Sequence, residues 1–335
     1  MKKILFYTAS IILLASCGSY KNSKNKKTVT DYASTITSEE LSKHLYIYAS
    51  DEFEGRNTGE PGQKKAIEYL KNFYVKEKIS SPLGGDDYFQ EVPASYLRRG
   101  LKDSENVVAF IKGTEKPEEV IVISAHLDHV GMRNGQIYNG ADDDGSGTVA
   151  ILEIAQAFKE ASDDGNGPKR SVLFLHVTAE EKGLLGSRYY AENPIFPIAN
   201  TVTDLNIDMI GRVDEAHKDN PNYVYLIGSD KLSTELHNIS EEVNKKYTNI
   251  QLDYTYNDEN DPNRFYYRSD HYNFAQYGVP IIFYFNGTHA DYHRPSDTAD
   301  KINYEMLQNR TRLVFHTAWE VANRKERIIV DKEVQ

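Results

Sequence analysis

Two stretches of this chain are apolar almost throughout, and they limit its fold more than any other feature. Residues 119–125 read EVIVISA and residues 171–178 read SVLFLHVT. A continuous apolar run of strand length is expected of a strand covered on both faces, because a half-exposed strand would alternate. Further strands are read at 106–111, 202–207, 223–227 and 281–285. Other segments place apolar residues at helical spacing: Ala66, Ile67, Leu70, Phe73 and Tyr74; Ile151, Ile154, Ala155 and Phe158; Met306, Leu307, Leu313, Val314 and Trp319. Residues 38–56, 184–191 and 232–247 also read as helical, the first with a capping-box-like start at Ser38. Strands alternating with helices predict a three-layer α/β domain, a mixed and mostly parallel sheet with helices on both faces.

In such sheets, sites form at the carboxyl ends of strands. Three strands here end in polar residues: His126, Glu180 with Glu181, and Asp208. Between the first two comes Gly140-Ala141-Asp142-Asp143-Asp144-Gly145-Ser146-Gly147. Three adjacent carboxylates repel one another when buried, and a metal cation is the commonest reason to gather them. Taken alone, the triplet reads equally well as a solvated cap on the helix that follows. The adjacent glutamates suggest separate tasks, one on a metal and one as a general base. The plainer reading is a helix N-terminus that attracts acids. His126 and Asp128 fall on the same side of an extended segment, so Asp128 is placed to accept from the second ring nitrogen of His126. Histidine and carboxylate donors without cysteine suit zinc, manganese or iron.

The body of the chain has no cysteine to offer, because the single one is Cys17. Lys2 and Lys3 precede an apolar run from Ile4 to Ala15, too short to span a bilayer comfortably. Leu14-Ala15-Ser16-Cys17 resembles the end of a bacterial lipoprotein signal. Residues 1–17 are therefore expected to be a signal peptide ending at a lipidated Cys17, and residues 18–37 a flexible tether. The protein would be exported and held at a membrane of the cell envelope, on its periplasmic or surface face, by lipid rather than by a span. Residues 38–330 are expected to form one domain. A formal net charge of -11, with no basic stripe, argues against nucleic acid as a partner.

Five segments, in order, carry a resemblance. They are His126-Leu127-Asp128; Gly140 to Gly147; Ala179-Glu180-Glu181 with Gly183, Gly186 and Ser187; Asn206-Ile207-Asp208-Met209; and Asp291-Tyr292-His293 before Arg294-Pro295-Ser296-Asp297-Thr298. Together they resemble the M28 family of zinc metallopeptidases, the aminopeptidase group with two co-catalytic zincs, and residues 38–78 resemble its lead-in. The resemblance implies the zinc-dependent exopeptidase fold, two Zn2+ ions per chain and peptide substrates. It implies that His126 and Asp208 hold one zinc, that Glu181 and His293 hold the other, and that Asp143 bridges them. A cis peptide would follow Asp143. Glu180 would be the general base that takes a proton from a zinc-bound water to give the attacking hydroxide, and Asp128 the partner of His126. Asp142 and Asp144 are left to capping and loop hydrogen bonds.

His289 stands as the alternative to His293. Asp270 and His271 are read as supports near the site, and Arg268 as a candidate substrate contact. Tyr266 and Tyr292 are candidate oxyanion donors, or chance placements among 24 tyrosines. Residues 79–118 are too few for the inserted domain that larger members carry. Two other functions fit the same fold. One is a glutaminyl-peptide cyclotransferase, which uses one zinc, and the other is a non-catalytic binding module.

Overall fold

In a computed structural model, Met1 and residues 27–334 are described. The signal sequence and Cys17 lie outside the described residues. Eight strands form one sheet. They are β1 (Phe89–Val92), β2 (Ser104–Ile111), β3 (Lys116–His126), β6 (Arg170–Val177), β7 (Thr201–Ile207), β8 (Tyr223–Ile227), β9 (Gln251–Asp253) and β10 (Ile281–Phe285). A separate hairpin pairs β4 (Gly131–Arg133) with β5 (Gln136–Tyr138). The order across the large sheet is β1-β2-β6-β3-β7-β10-β8-β9. The centre, β6-β3-β7-β10, is parallel throughout. β8 and β9 also run parallel, while β1-β2, β2-β6 and β10-β8 are antiparallel.

The apolar runs behave as their sequence demands. Along β3, Ile121, Ile123 and Ala125 enter one core layer, while Val120 and Val122 enter the other. β6 divides the same way, with Val172 and Phe174 against Leu173, Leu175 and Val177. Each fully buried aliphatic side chain contributes about 1.5–3 kcal/mol, so neither face could be given up. The larger layer holds α1 (Val29–Ala33), α2 (Ser38–Tyr48), α3 (Pro61–Lys76), α4 (Gly147–Asp163), α6 (Thr234–Tyr247) and α8 (Tyr304–Asn323). The opposite layer holds α5 (Leu185–Glu192) and α7 (His271–Ala275). This is the three-layer α/β arrangement with a mixed sheet.

Two expectations change. The helix over 38–56 stops at Tyr48, and Asp51–Arg56 forms a tighter turn in which Glu54, Gly55 and Arg56 have positive φ. Its cap is Thr37 rather than Ser38, since the Thr37 hydroxyl accepts from Glu40 N at 3.2 Å. The tether expected over 18–37 does not extend through its last residues. Val29–Ala33 is helical, and Tyr32, Ala33 and Ile36 are buried. Tyr32 stacks on Trp319 at 5.8 Å, and Arg312 Nε donates to Ala33 O at 3.0 Å. An apolar Tyr-Ala-x-x-Ile contact with α8 outweighs the polar composition around it. Among the described residues, no helix is long and apolar enough to cross a membrane.

The four parallel strands bring their carboxyl ends side by side. β3 ends on His126, β6 leads into Glu180 and Glu181, β7 leads into Asp208, and β10 leads into the loop that carries His289 and His293.

Candidate metal centre and active site

The acidic triplet sits in a wide turn, Ala141–Ser146, ahead of α4. Gly140 opens it with φ 53°. A Cβ there would lie 2.3 Å from Asp143 O and 2.4 Å from the His129 ring, so only glycine fits. The Asp143–Asp144 peptide is cis.

The three carboxylates point to different places. Asp142 Oδ1 accepts from Gly211 N at 2.6 Å, and Oδ2 lies 3.2 Å from His289 Nε2. Asp144 Oδ1 accepts from Gly147 N at 2.9 Å and Met209 N at 3.1 Å, and Oδ2 accepts from His126 N at 3.2 Å. Both side chains thus tie backbone segments together. Asp143 turns toward the imidazoles. Its Oδ1 is 3.1 Å from His126 Nε2, and its Oδ2 is 3.0 Å from His293 Nε2. Asp297 Oδ2 holds the turn by accepting from Asp142 N at 3.0 Å and Asp143 N at 3.2 Å.

The remaining residues close around Asp143. Asp208 Oδ1 is 3.7 Å from His126 Nε2, and Asp208 Oδ2 accepts from Ser269 Oγ at 2.7 Å. Glu181 Oε1 is 3.1 Å from His293 Nε2. Glu180 Oε2 lies 3.9 Å from His126 Nε2. His126, Asp143, Glu180, Glu181, Asp208 and His293 are therefore brought together. His289 is not among them, because it pairs with Asp142 instead.

Asp128 does not do what the spacing suggests. Its carboxylate is 4.0 Å from His126 Nδ1, whereas its backbone carbonyl is at 2.9 Å. The carboxylate is engaged elsewhere, accepting from Glu180 N at 3.0 Å and from Thr58 Oγ1 at 2.7 Å. A carbonyl only accepts, so Nδ1 carries a proton, and Nε2 is the nitrogen that faces Asp143 and Asp208. The Asp128 side chain acts through the backbone of Glu180, and it is the Asp128 backbone carbonyl that partners the imidazole.

Among the other candidates, Asp270 accepts from Ser187 Oγ at 2.5 Å, and His271 Nε2 meets Tyr266 O at 2.8 Å, both as supports. Tyr292 stacks on His293 at 4.0 Å. Arg268 and Tyr292 line a pocket beside the centre, with Met209, Phe265, Phe283 and Phe285 forming its apolar walls. Tyr266 is not part of that lining; its ring lies under the Lys231 ammonium at 5.1 Å. Two residues went unread in the sequence. His129 is wholly buried, with Nδ1 2.9 Å from Glu181 Oε1. Arg56 is buried and reaches the backbone on both sides of the site, donating to Leu127 O and Gly140 O. The only sequence signal for His129 was a third polar residue directly after His-Leu-Asp.

The electrostatics are those of a site with surplus negative charge. Burial raises the Glu180 carboxyl well above the usual range, opposed by His126 and reinforced by Asp270. Burial also raises Asp144 well above that range. His293 is pushed up to about 10, since Asp143 and Glu181 outweigh the burial that opposes it. Asp143 is held well below the usual range against burial by His129, His126 and His293.

The donors fit a dication. Asp143 Oδ2, Glu181 Oε1 and His129 Nδ1 are buried and lack hydrogen-bond partners, although they converge. Such orphaned atoms are costly unless a cation satisfies them. A second convergence joins His126, Asp208 and Asp144. Asp143 is the better donor there, because the oxygens of Asp144 already take three backbone N–H groups.

Residues 106–318 match the family model of Peptidase family M28. Leupeptin-inactivating enzyme 1 of Streptomyces exfoliatus is 32% identical over 258 residues, covering 77% of this chain and 50% of that protein. Leucine aminopeptidase 1 of Coccidioides posadasii is 28% identical over 225 residues, covering 65% of this chain and 55% of that protein. The chain thus spans about half the length of the curated relatives it matches. The solved structure of BSAP, a zinc aminopeptidase from Bacillus subtilis, superposes with a TM-score of 0.64 at 17% identity, covering 87% of this chain and 98% of that one. The chain belongs to peptidase family M28.

Proposed function

We propose that the chain is a zinc-dependent aminopeptidase that removes N-terminal residues from peptides. The observation that carries the reading is Asp143, whose two oxygens face two different imidazoles at 3.1 and 3.0 Å. In this reading the chain binds two Zn2+ ions. His126 and Asp208 hold one, Glu181 and His293 hold the other, and Asp143 is shared. Zinc at such a site supplies Lewis acidity, lowering the pKa of a water toward about 7 and polarising a carbonyl.

The chain's own residues do the rest. Glu180 lines the pocket, and its side chain stays 13% exposed. It takes a proton from the attacking water and delivers it to the departing amine. Asp128 fixes the Glu180 backbone, and Ser269 orients Asp208. Met209, Phe265, Phe283 and Phe285 make a pocket suited to one apolar side chain. The carboxylates of Glu180 and Asp208 beside it suit a free amino terminus. The lipoprotein reading of residues 1–17 belongs to the same proposal. It puts the enzyme at the cell envelope, held by lipid on Cys17, and rests on the sequence alone.

The test is hydrolysis of a panel of aminoacyl reporters with and without a chelator. Turnover is expected to vanish with the chelator and return with zinc. Glu180→Gln should lower kcat by about 10²- to 10⁴-fold with unchanged zinc content. A lack of chelator-sensitive turnover on both amino- and carboxy-terminal substrates overturns the reading.

A further inference from the structure

We propose that His129 is a fourth protein ligand at the Glu181–His293 position, so that the two metal positions of the centre are unequal. The inference rests on the dizinc reading above and adds a residue to it.

The geometry of His129 is that of a ligand rather than of a core histidine. Its side chain is fully buried, yet neither ring nitrogen has a hydrogen-bond partner. A buried imidazole without partners is costly, and a core histidine normally satisfies at least one nitrogen. Nδ1 is aimed at the centre, 2.9 Å from Glu181 Oε1 and 3.7 Å from Asp143 Oδ2. Those same two oxygens are the ones His293 Nε2 approaches, at 3.1 and 3.0 Å. Both are also without hydrogen bonds. Two imidazole nitrogens and two carboxylate oxygens therefore surround one point, close together but not aligned to hydrogen-bond. The rings of His129 and His293 stand edge to face at 5.6 Å, as two ligands of one ion can.

The ring is also fixed in place. His129 N donates to Arg56 O at 3.2 Å. Gly140 gives way to the ring, since a Cβ there would lie 2.4 Å from its Cγ. Nε2 has no competing partner to reverse the ring.

The consequence is an asymmetric centre. With Asp143, Glu181, His293 and His129, one position has four protein donors, the number typical of a closed zinc site. The other has His126, Asp208 and Asp143, which leaves room for water and substrate, as catalytic sites do. The closed position would hold its ion tightly and the open one would do the chemistry.

The test is zinc content and affinity, by elemental analysis and by competition with a chromogenic chelator, on full-length wild type, His129→Ala and His129→Gln. Zinc X-ray absorption on wild type counts imidazoles directly, whatever happens to the variants. We expect wild type to hold two ions with three imidazoles between them. We expect both variants to hold one of the two ions at least ~10-fold more weakly. Two imidazoles in wild type, or two ions held with unchanged affinity by His129→Ala, overturns the inference and leaves the dizinc reading standing. Recovery by His129→Gln, whose amide can donate to Glu181 but ligates zinc poorly, also overturns it, by making His129 a hydrogen-bonding support. Fewer than two ions in wild type defeats the dizinc reading itself, and the inference with it.

Discussion

Replacing Arg56 should cost more stability than replacing any acid of the triplet's outer pair. Its guanidinium is 1% exposed and donates four times to backbone carbonyls. Nε reaches Leu127 O at 3.1 Å; Nη1 reaches Tyr48 O at 3.2 Å and Asn139 O at 2.7 Å; Nη2 reaches Gly140 O at 2.9 Å. The group also lies over the Tyr48 ring at 4.7 Å. One side chain thus joins the strand end that carries His126 to the turn that carries Asp143. Hydrogen bonds from a charged donor are worth about 1.5–3 kcal/mol each, so the gross loss is large. Two terms reduce it. Leu127 O keeps the Tyr48 hydroxyl at 2.9 Å and Gly140 O keeps Gly145 N at 3.2 Å. Removing a buried charge also recovers desolvation energy. The net expectation for Arg56→Met is about 3–5 kcal/mol. Urea unfolding reads this as a lower midpoint at unchanged m-value. Arg56→Lys keeps the charge but not the fork and should recover less than half. A loss under ~1 kcal/mol for Arg56→Met, or wild-type stability for Arg56→Lys, refutes the bridging role.

Two further perturbations test other parts of the fold. His176 is fully buried, its Nε2 lies 2.6 Å from the Tyr74 hydroxyl, and burial lowers its pKa from 6.5 to about 3. Because the folded value lies below the unfolded one, the unfolded chain gains a proton first. Stability is fully present above pH ~6.5 and should fall by about 1.4 kcal/mol per pH unit from there toward pH 3. His176→Gln should lower the slope of urea titrations at stepped pH by that amount, leaving the share of the other histidines that burial lowers, His44, His271 and His316, and an unchanged slope would show that His176 is protonated in the folded state. Gly186→Ala would put a Cβ 2.1 Å from Thr178 O and 2.7 Å from Asn106 Oδ1. Overpacking of this kind costs about 1–3 kcal/mol. Since Glu180 and Glu181 lie in the turn between Thr178 and Gly186, zinc retention should fall with the melting temperature; a variant that melts and binds like wild type would be the contrary result.

The elements that could be read from the sequence are those whose pattern is long or wholly apolar. Tyr223–Ile227 and Ile281–Phe285 match to the residue, and the helix Tyr304–Asn323 takes in all five apolar positions read at helical spacing from Met306 to Trp319. Phe89–Val92 escaped notice because it is an edge strand with only Val92 buried, so nothing in it alternates strongly. Gln251–Asp253 is three residues with none buried, and Val29–Ala33 is too short to show a helical period. At the site, His126, Glu180, Glu181 and Asp208 are legible as polar residues at the ends of apolar strands, whereas Asp143 as the shared residue and His293 as a ligand follow only from the resemblance to the M28 family. The partner of His126 was not legible, because sequence cannot tell the carboxylate of Asp128 from its carbonyl. Arg56 was not legible either. A basic residue at the end of a stretch read as helical reads as solvated until its four carbonyl acceptors are known.

The position of β10 has a consequence for the order of assembly. This strand lies between β7 and β8, which precede it in the chain by 50 residues or more. Until residues 281–285 arrive, β7 and β8 each present an unpaired inner edge, and the sheet stays in two parts. The pairings that join them are non-local, which makes them slow to form. Open edges of this kind invite association with other chains while they last. His293 follows β10 directly, so the metal centre is among the last features to be built. A truncated or nascent chain would therefore hold only part of the donor set. Stable metal capture becomes a report that the sheet has closed.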